Sequence, residues 1–279
     1  MSSVKRRRPK ISEIVRFAGP AFKPGGDRWS RVLTADDFRR LARRRTPRPV
    51  FDYVEGGAEE ELSVARAREA FSRVVFHPHV LQNVSSVDTS TTILGRPAAL
   101  PIVLAPTGFT RMMRTEGEPA VARPAGRAGI PYSLSTLGTT SPDRLREAAP
   151  DTELWFQLYL SQDHGRSREL LAQAAASRYT TLVLTVDVPV AGARRKDVYS
   201  GLTLPPTLSL RTLLSMSTKP RWLFDVLTTE PLAFEALGAG EDLAGLFRNA
   251  FDPGVTLAEL DWLRSQWPGS IVFGINRGR

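Results

Sequence analysis

The chain has no cysteine, which excludes disulfides and thiolate metal sites and leaves a reducing compartment open to it. Histidine is scarce too, at three residues, His77, His79 and His164, so imidazole chemistry has few places to reside. No apolar run approaches the roughly 18–20 residues of a membrane-spanning helix. The opening "MSSVKRRRPK" has no apolar stretch behind its charges and so is not a secretory signal. A cytoplasmic protein is the expectation. Acidic residues are almost missing from the first fifty positions, which hold 15 Lys and Arg against 4 Asp and Glu. The other 229 residues hold 23 against 25, so the net charge of +9 belongs to a leading arm. Such an arm suits solvent or an anionic membrane surface. No aromatic side chain interrupts "KRRRPK", so nucleic acid is not an expected partner.

What is present is a repeating alternation of helix and strand. "TADDFRRLARRR" (34–45) reads as a helix, with Thr34 able to cap it and Phe38 and Leu41 on one face. "FDYVEGGAEEELSVARAREAF" (51–71) reads as two helical pieces broken at Gly56-Gly57. "PAALPIVLAPTG" (97–108) reads as a strand buried on both faces. Helices at 117–130, 141–149 and 166–178 then alternate with strands at 131–136, 154–160 and 180–189. A helix at 256–267 leads into a last strand that starts at Ile271. This spacing means parallel βαβ units, five strands in all. Residues 190–260 are too long for a simple βα loop and read as an insertion or lid.

Polar residues recur where these strands end: Thr107, Ser135, Gln157 with Tyr159, and Thr185 with Asp187. A closed (β/α)8 barrel gathers ligand groups from every strand end, whereas an open doubly wound sheet concentrates them at one switch point. No GxGxxG follows the first strand, so the expectation is a (β/α)8 TIM barrel, incomplete, with about five of eight βα units. The expected domains are a basic arm (1–33), a helical segment (34–96) and a partial barrel (97–279). Each strand-end residue taken singly also fits plain capping of loop backbone, and Tyr53 singly fits a core position with a satisfied hydroxyl.

Five segments in order, "FDYVEGGAEEE", "LAPTGFTRMMRTEGE", "AGIPYSLSTLGT", "WFQLYL" and "LTVDVPVAGARRKDV", resemble the FMN-dependent α-hydroxy acid dehydrogenase/oxidase family. Several, with "VLTTEPLAF" and "SQWPG", are most similar to its L-lactate dehydrogenases of the cytochrome type. The resemblance implies FMN as cofactor and oxidation of an L-2-hydroxy acid, L-lactate to pyruvate, with glycolate or mandelate as the rival substrates. It implies that Pro106, Thr107 and Gly108 face the flavin, and that Ser135, Gln157 and Thr185 hydrogen-bond the ring and its ribityl chain. It places Arg194 on the substrate carboxylate, as a bidentate pair, with Arg195 and Lys196 as solvated neighbours. Tyr53 and Tyr159 would point their phenols at the carboxylate and the C2 oxygen, and Asp187 would orient a loop or hold the missing base. A quinone, cytochrome or oxygen would accept the electrons. A homo-oligomer and peripheral contact of the basic arm with the inner membrane face are also open; no metal is implied.

By the same resemblance, the last strand should carry a lysine in a "V-K-G" setting, and the next an "S-N-H-G-G-R" motif with the catalytic histidine and a second arginine. A glycine-rich phosphate site should follow. The chain reads "IVFGINRGR" instead, departing from the family at about Val272, as a frameshift or premature stop would make it. None of the three histidines follows a strand as the catalytic base should. Loss of a positioned base costs about 10²–10⁴ in rate. The expectation is therefore a truncated form that turns over negligibly and holds FMN incompletely, or a non-catalytic remnant. Two open sheet edges and interior side chains that meet water should then make it poorly soluble or dependent on a partner chain.

Overall fold

The computed structural model describes residues 32–161, 163–189, 192–201, 210–235 and 252–274. Most of the basic arm and much of the long 190–260 segment lie outside the described residues. The chain divides into two compact units, residues 1–44 and 45–279. In the first, helix α1 (Ala35–Arg45) has a reciprocal cap. Asp37 N donates to Thr34 Oγ1 at 3.3 Å, and Thr34 N donates to the Asp37 carboxylate at 2.9 Å.

The second unit opens with α2 (Arg48–Glu55) and α3 (Leu62–Ser72), separated at Gly56-Gly57 as the sequence predicts. An antiparallel hairpin of β1 (Thr91–Ile93) and β2 (Arg96–Ala98) follows. Leu94 and Gly95 both take positive φ, 49° and 78°, which suits a two-residue turn between twisted strands. Here the structure corrects the sequence reading of one buried strand over 97–108. Residues 96–98 belong to the hairpin, and of the remainder only Leu104 pairs, through a parallel bridge to Tyr132. Prolines 97, 101 and 106 remove ladder donors from this run, and Ile102 is 48% exposed. It is an edge, not a centre.

Next to that bridge lies a parallel sheet of β3 (Tyr132–Leu134), β4 (Leu154–Tyr159), β5 (Thr181–Thr185) and β6 (Ser270–Gly274), in sequence order. Helices α4 (Thr110–Met113), α5 (Pro119–Arg127), α6 (Pro142–Ala148) and α7 (His164–Ala176) intervene between the first strands. Helices α8 (Arg195–Ser200), α9 (Leu210–Ser217), α10 (Pro220–Thr228) and α11 (Glu259–Gln266) lie between β5 and β6. Helix α7 starts two residues earlier than its apolar pattern suggests, because the Asp163 carboxylate accepts from Gly165 N and Arg166 N. Arg146 on α6 donates to the carbonyls of Pro150, Thr152, Ser177 and Arg178, tying the turns that feed β4 and β5.

Period-two alternation gives the sheet two different faces. One carries Leu134, Leu154, Phe156, Leu158, Leu182 and Leu184, all buried in the core together with Leu145, Leu170, Leu171 and Leu263 from α6, α7 and α11. Truncating Phe156 to alanine there would cost about 3–5 kcal/mol. The other face carries Ser133, Ser135, Trp155, Gln157, Thr181 and Val183. These inner side chains are buried as well, contrary to the expectation that they meet water; half-buried ones on this face are Tyr159 and Thr185 at the strand ends and those of β6, such as Val272. Large apolar side chains are exposed instead before the hairpin, where Phe76 is 93% and Leu81 101% exposed, on α10 at Phe224 and Leu227, and on β6 at Phe273.

Candidate functional site

The parallel register sets the C-terminal ends of three strands side by side. Leu134 pairs with Phe156, and Tyr159 pairs with Thr185, so residues 135, 157 and 185 fall on one rim. Gln157 joins them. Its side-chain oxygen accepts from Ser135 Oγ and Thr136 N, both at 3.1 Å, and its Nε2 donates to Thr185 Oγ1 at 3.0 Å. Ser135 Oγ accepts in turn from Leu137 N at 3.1 Å, so the capping role and a ligand role coexist in one residue. Among these bonds Gln157 keeps one N–H and Thr185 keeps its O–H. The set is uncharged, with donors and acceptors in a line.

Pro106, Thr107 and Gly108 form the neighbouring turn; Thr107 is exposed and the other two half-buried. A side chain at Gly108 would come within 2.9 Å of Leu137 Cβ. The absence of a side chain there lets this turn pack on the loop after β3. Phe109, in the left-handed region at φ 57°, is fully buried and stacks edge-on against Tyr53 at 5.3 Å between ring centroids.

Tyr53 comes from α2, Tyr159 from β4 and Arg194 from the turn into α8, and the fold brings them together. The Arg194 guanidinium lies 4.6 Å from the Tyr53 ring centroid, donates to the Tyr53 carbonyl, and pairs with Asp197 at 2.5 Å. Burial pushes the Tyr53 phenol up to about 12, against the opposing pull of Arg194. Tyr159 is also raised, by burial and by the charge of Asp187. Both phenols are therefore protonated donors at neutral pH. A cavity of about 50 Å³ beside Tyr159 and Thr185, lined also by Val188 and Asp252, has room for water-sized groups only, so the strand ends present a rim.

Charge does the assembling. Arg195 pairs with Glu59 and Glu60, and Lys196 with Glu61, while Glu59 N donates to Ala193 O at 2.8 Å. Arg195 and Lys196 are thus engaged with the acidic loop, not merely solvated as the sequence reading had them. This clasp joins α2 to the 193–197 turn. Two opposed triplets, "EEE" and "RRK", were the signal for it in the sequence. Nothing comparable marked Glu118 or Thr136, whose Oγ1 donates to Gln157 O at 2.5 Å and accepts from Tyr159 N. The histidines stand elsewhere. His77 and His79 are exposed, and His164, the first residue of α7, packs on Trp262 and faces Glu259 at 3.4 Å.

The sequence pattern of the FMN-dependent dehydrogenases matches residues 42–276. The chain belongs to the FMN-dependent dehydrogenase family. It is 49% identical over 274 residues to a Mycobacterium tuberculosis protein provisionally named an L-lactate dehydrogenase, covering 97% of this chain and 66% of that one. It is 41% identical over 250 residues to the L-lactate dehydrogenase of Caulobacter vibrioides, covering 86% of this chain and 64% of the relative. The chain therefore spans just under two thirds of the length of these relatives. Among solved structures it is similar to the monotopic membrane protein (S)-mandelate dehydrogenase, with a TM-score of 0.80 and 34% identity over 86% of this chain and 65% of that one. The parallel sheet and its helices are thus part of the family's (β/α)8 barrel, and the family's cofactor is FMN. Donor chemistry at the rim fits that group: a neutral ring edge needs hydroxyl and amide partners, and Ser135, Gln157 and Thr185 supply them without a charge.

Proposed function

We propose that the chain supplies the flavin-edge and carboxylate-binding part of an FMN-dependent oxidoreductase that converts L-lactate to pyruvate. One observation carries this: Tyr53, Tyr159 and Arg194, from three separate elements, meet at the sheet end that also bears the Ser135–Gln157–Thr185 row. When bound, FMN supplies the two-electron acceptor. Pro106, Thr107 and Gly108 would face it, with the amide and hydroxyl row along its polar edge. Arg194 would take the substrate carboxylate, already aimed by its stack on Tyr53. The two phenols would donate to the carboxylate and the C2 oxygen, and Asp187 would hold the loop that carries Arg194. Electrons would leave to a quinone, a cytochrome or oxygen.

No histidine among the described residues lies at this rim, so we also propose that these residues alone turn over negligibly. The domain division at 33/34 and 96/97, peripheral membrane contact through the basic arm, and self-association belong to the same reading. Among the described residues no helix is long and apolar enough to cross a membrane. A second substrate reading, mandelate, rests on the similarity to (S)-mandelate dehydrogenase.

The test adds FMN to the purified chain, follows quenching of flavin fluorescence, and then adds L-lactate, D-lactate, glycolate or (S)-mandelate while a dye reports turnover. The expected result is partial FMN occupancy, a shift of the visible flavin band with L-lactate and not D-lactate, and no dye reduction above buffer. A chain that ignores FMN at every concentration, or responds equally after Arg194→Met, would refute the reading. A larger response to (S)-mandelate would move the substrate assignment.

A further inference from the structure

Glu118 immediately precedes α5 without capping it through its side chain, and is fully buried, with no ion-pair partner among the described residues. Its carboxylate accepts from Thr139 N at 2.6 Å, from Thr139 Oγ1 at 2.8 and 3.0 Å, and from Thr140 Oγ1 at 2.7 Å. A carboxylate has about four acceptor positions, so the backbone and both hydroxyls of one turn are spent on this one side chain. Thr139 passes the restraint on. With its proton given to Glu118, its oxygen accepts from Arg111 N at 3.2 Å and lies 3.2 Å from Thr110 Oγ1. Phe109 N donates to Leu137 O at 3.1 Å, and Leu137 fills the space beside Gly108. The turn after Leu104 and the turn after β3 are therefore joined directly at Phe109 and Leu137, and at Thr139 through the side chain that Glu118 holds. Ser135 begins the second turn and Gly108 sits in the first.

We infer that Glu118 is a positioning residue: it holds the 106–111 turn and the 135–140 turn as one rigid rim against which the flavin lies. This rests on the FMN reading above. A planar ring needs both turns at a fixed separation, and a buried acceptor that gathers donors from one turn to fix the other provides that. Glu118 touches neither ring nor substrate in this assignment.

The experiment compares the full chain with Glu118→Ala, Glu118→Gln and Thr139→Val. Amide hydrogen exchange is read without FMN, and FMN affinity and thermal melting are read separately. With Glu118→Ala, exchange at Phe109, Arg111, Leu137 and Thr139 should rise roughly tenfold or more, and FMN affinity should fall by a similar factor. Amides inside β4 and β5 should keep their protection. Glu118→Gln, which retains an acceptor for Thr139 N, should restore most of the protection. Thr139→Val, nearly isosteric, should expose Arg111 while leaving Thr139 N protected, and it decides the matter if the alanine variant does not fold. Unchanged exchange at these four amides, or equal loss throughout the sheet, would overturn the inference. If the wild-type chain takes up no FMN yet the four amides respond as described, Glu118 retains its role and the FMN reading falls.

Discussion

Replacing Gln157 with leucine tests the rim most directly. Gln157 is 1% exposed, so solvent cannot repair what the substitution removes. Three side-chain bonds vanish: those with Ser135 Oγ, Thr136 N and Thr185 Oγ1. At about 1 kcal/mol net for each, the loss is about 3 kcal/mol, with the buried Thr136 N–H its costliest part. Burying an apolar head in place of an amide returns about 1 kcal/mol, leaving a net cost of about 2 kcal/mol. For a folded unit of this size each kcal/mol moves the melting midpoint by about 2–4 °C, so a fall of about 4–8 °C is expected. Circular dichroism melts of the wild type, Gln157→Leu, Ser135→Ala and the double variant complete a cycle. Both single changes delete the Ser135–Gln157 bond, so the double variant should lose about 1 kcal/mol less than the sum. Additivity within about 0.3 kcal/mol would show that the two side chains do not cooperate, and would refute the rim as built.

Alkaline pH offers a second test. Burial raises the Tyr53 phenol from 10.0 to about 12, and raises Tyr132 and Tyr179 as well. Above pH 10 the unfolded chain gives up these protons and the folded chain keeps them, so stability is complete below pH 10 and is lost as pH climbs through about 12. Urea midpoints across that window should fall, and Tyr53→Phe should flatten the slope; a flat wild-type profile would count against the burial. Arg194→Met should push the Tyr53 phenol higher still, since the guanidinium now favours phenolate, and ultraviolet titration of phenolate absorbance against Tyr53→Phe reads this. The clasp between 59–61 and 195–196 is exposed, so salt should loosen it. Proteolytic nicking within residues 57–61 should accelerate with ionic strength, and exchanging the charges of Glu60 and Arg195 together should restore resistance that either reversal alone removes.

Much of the fold was legible from local patterns. Alternating helices and apolar runs announced the parallel units, because burial between helices demands both. Gly56-Gly57 announced a helix break, and the strand-end polar residues announced a rim. The 97–108 run misled, since its apolar content resembles a central strand while its prolines suit only an edge. The start of α7 was missed because a capping aspartate, not apolar spacing, sets it. Nothing in the local sequence singles out Glu118, which stands before a proline-led helix; only the folding of residues 139–140 over it makes it a buried anchor.

The sequence by itself determined the order of elements, the uncharged character of Ser135, Gln157 and Thr185, and membership of the FMN-dependent family, because each of these depends on near neighbours or on motif order. Tertiary structure alone decided which groups meet. Tyr53 lies 141 residues from Arg194, and the Glu60–Arg195 pair spans 135. Contacts over such distances come from the shared register of parallel strands and from opposite charges finding each other in the folded chain; the charged triplets are visible in the sequence, but which groups they meet is not.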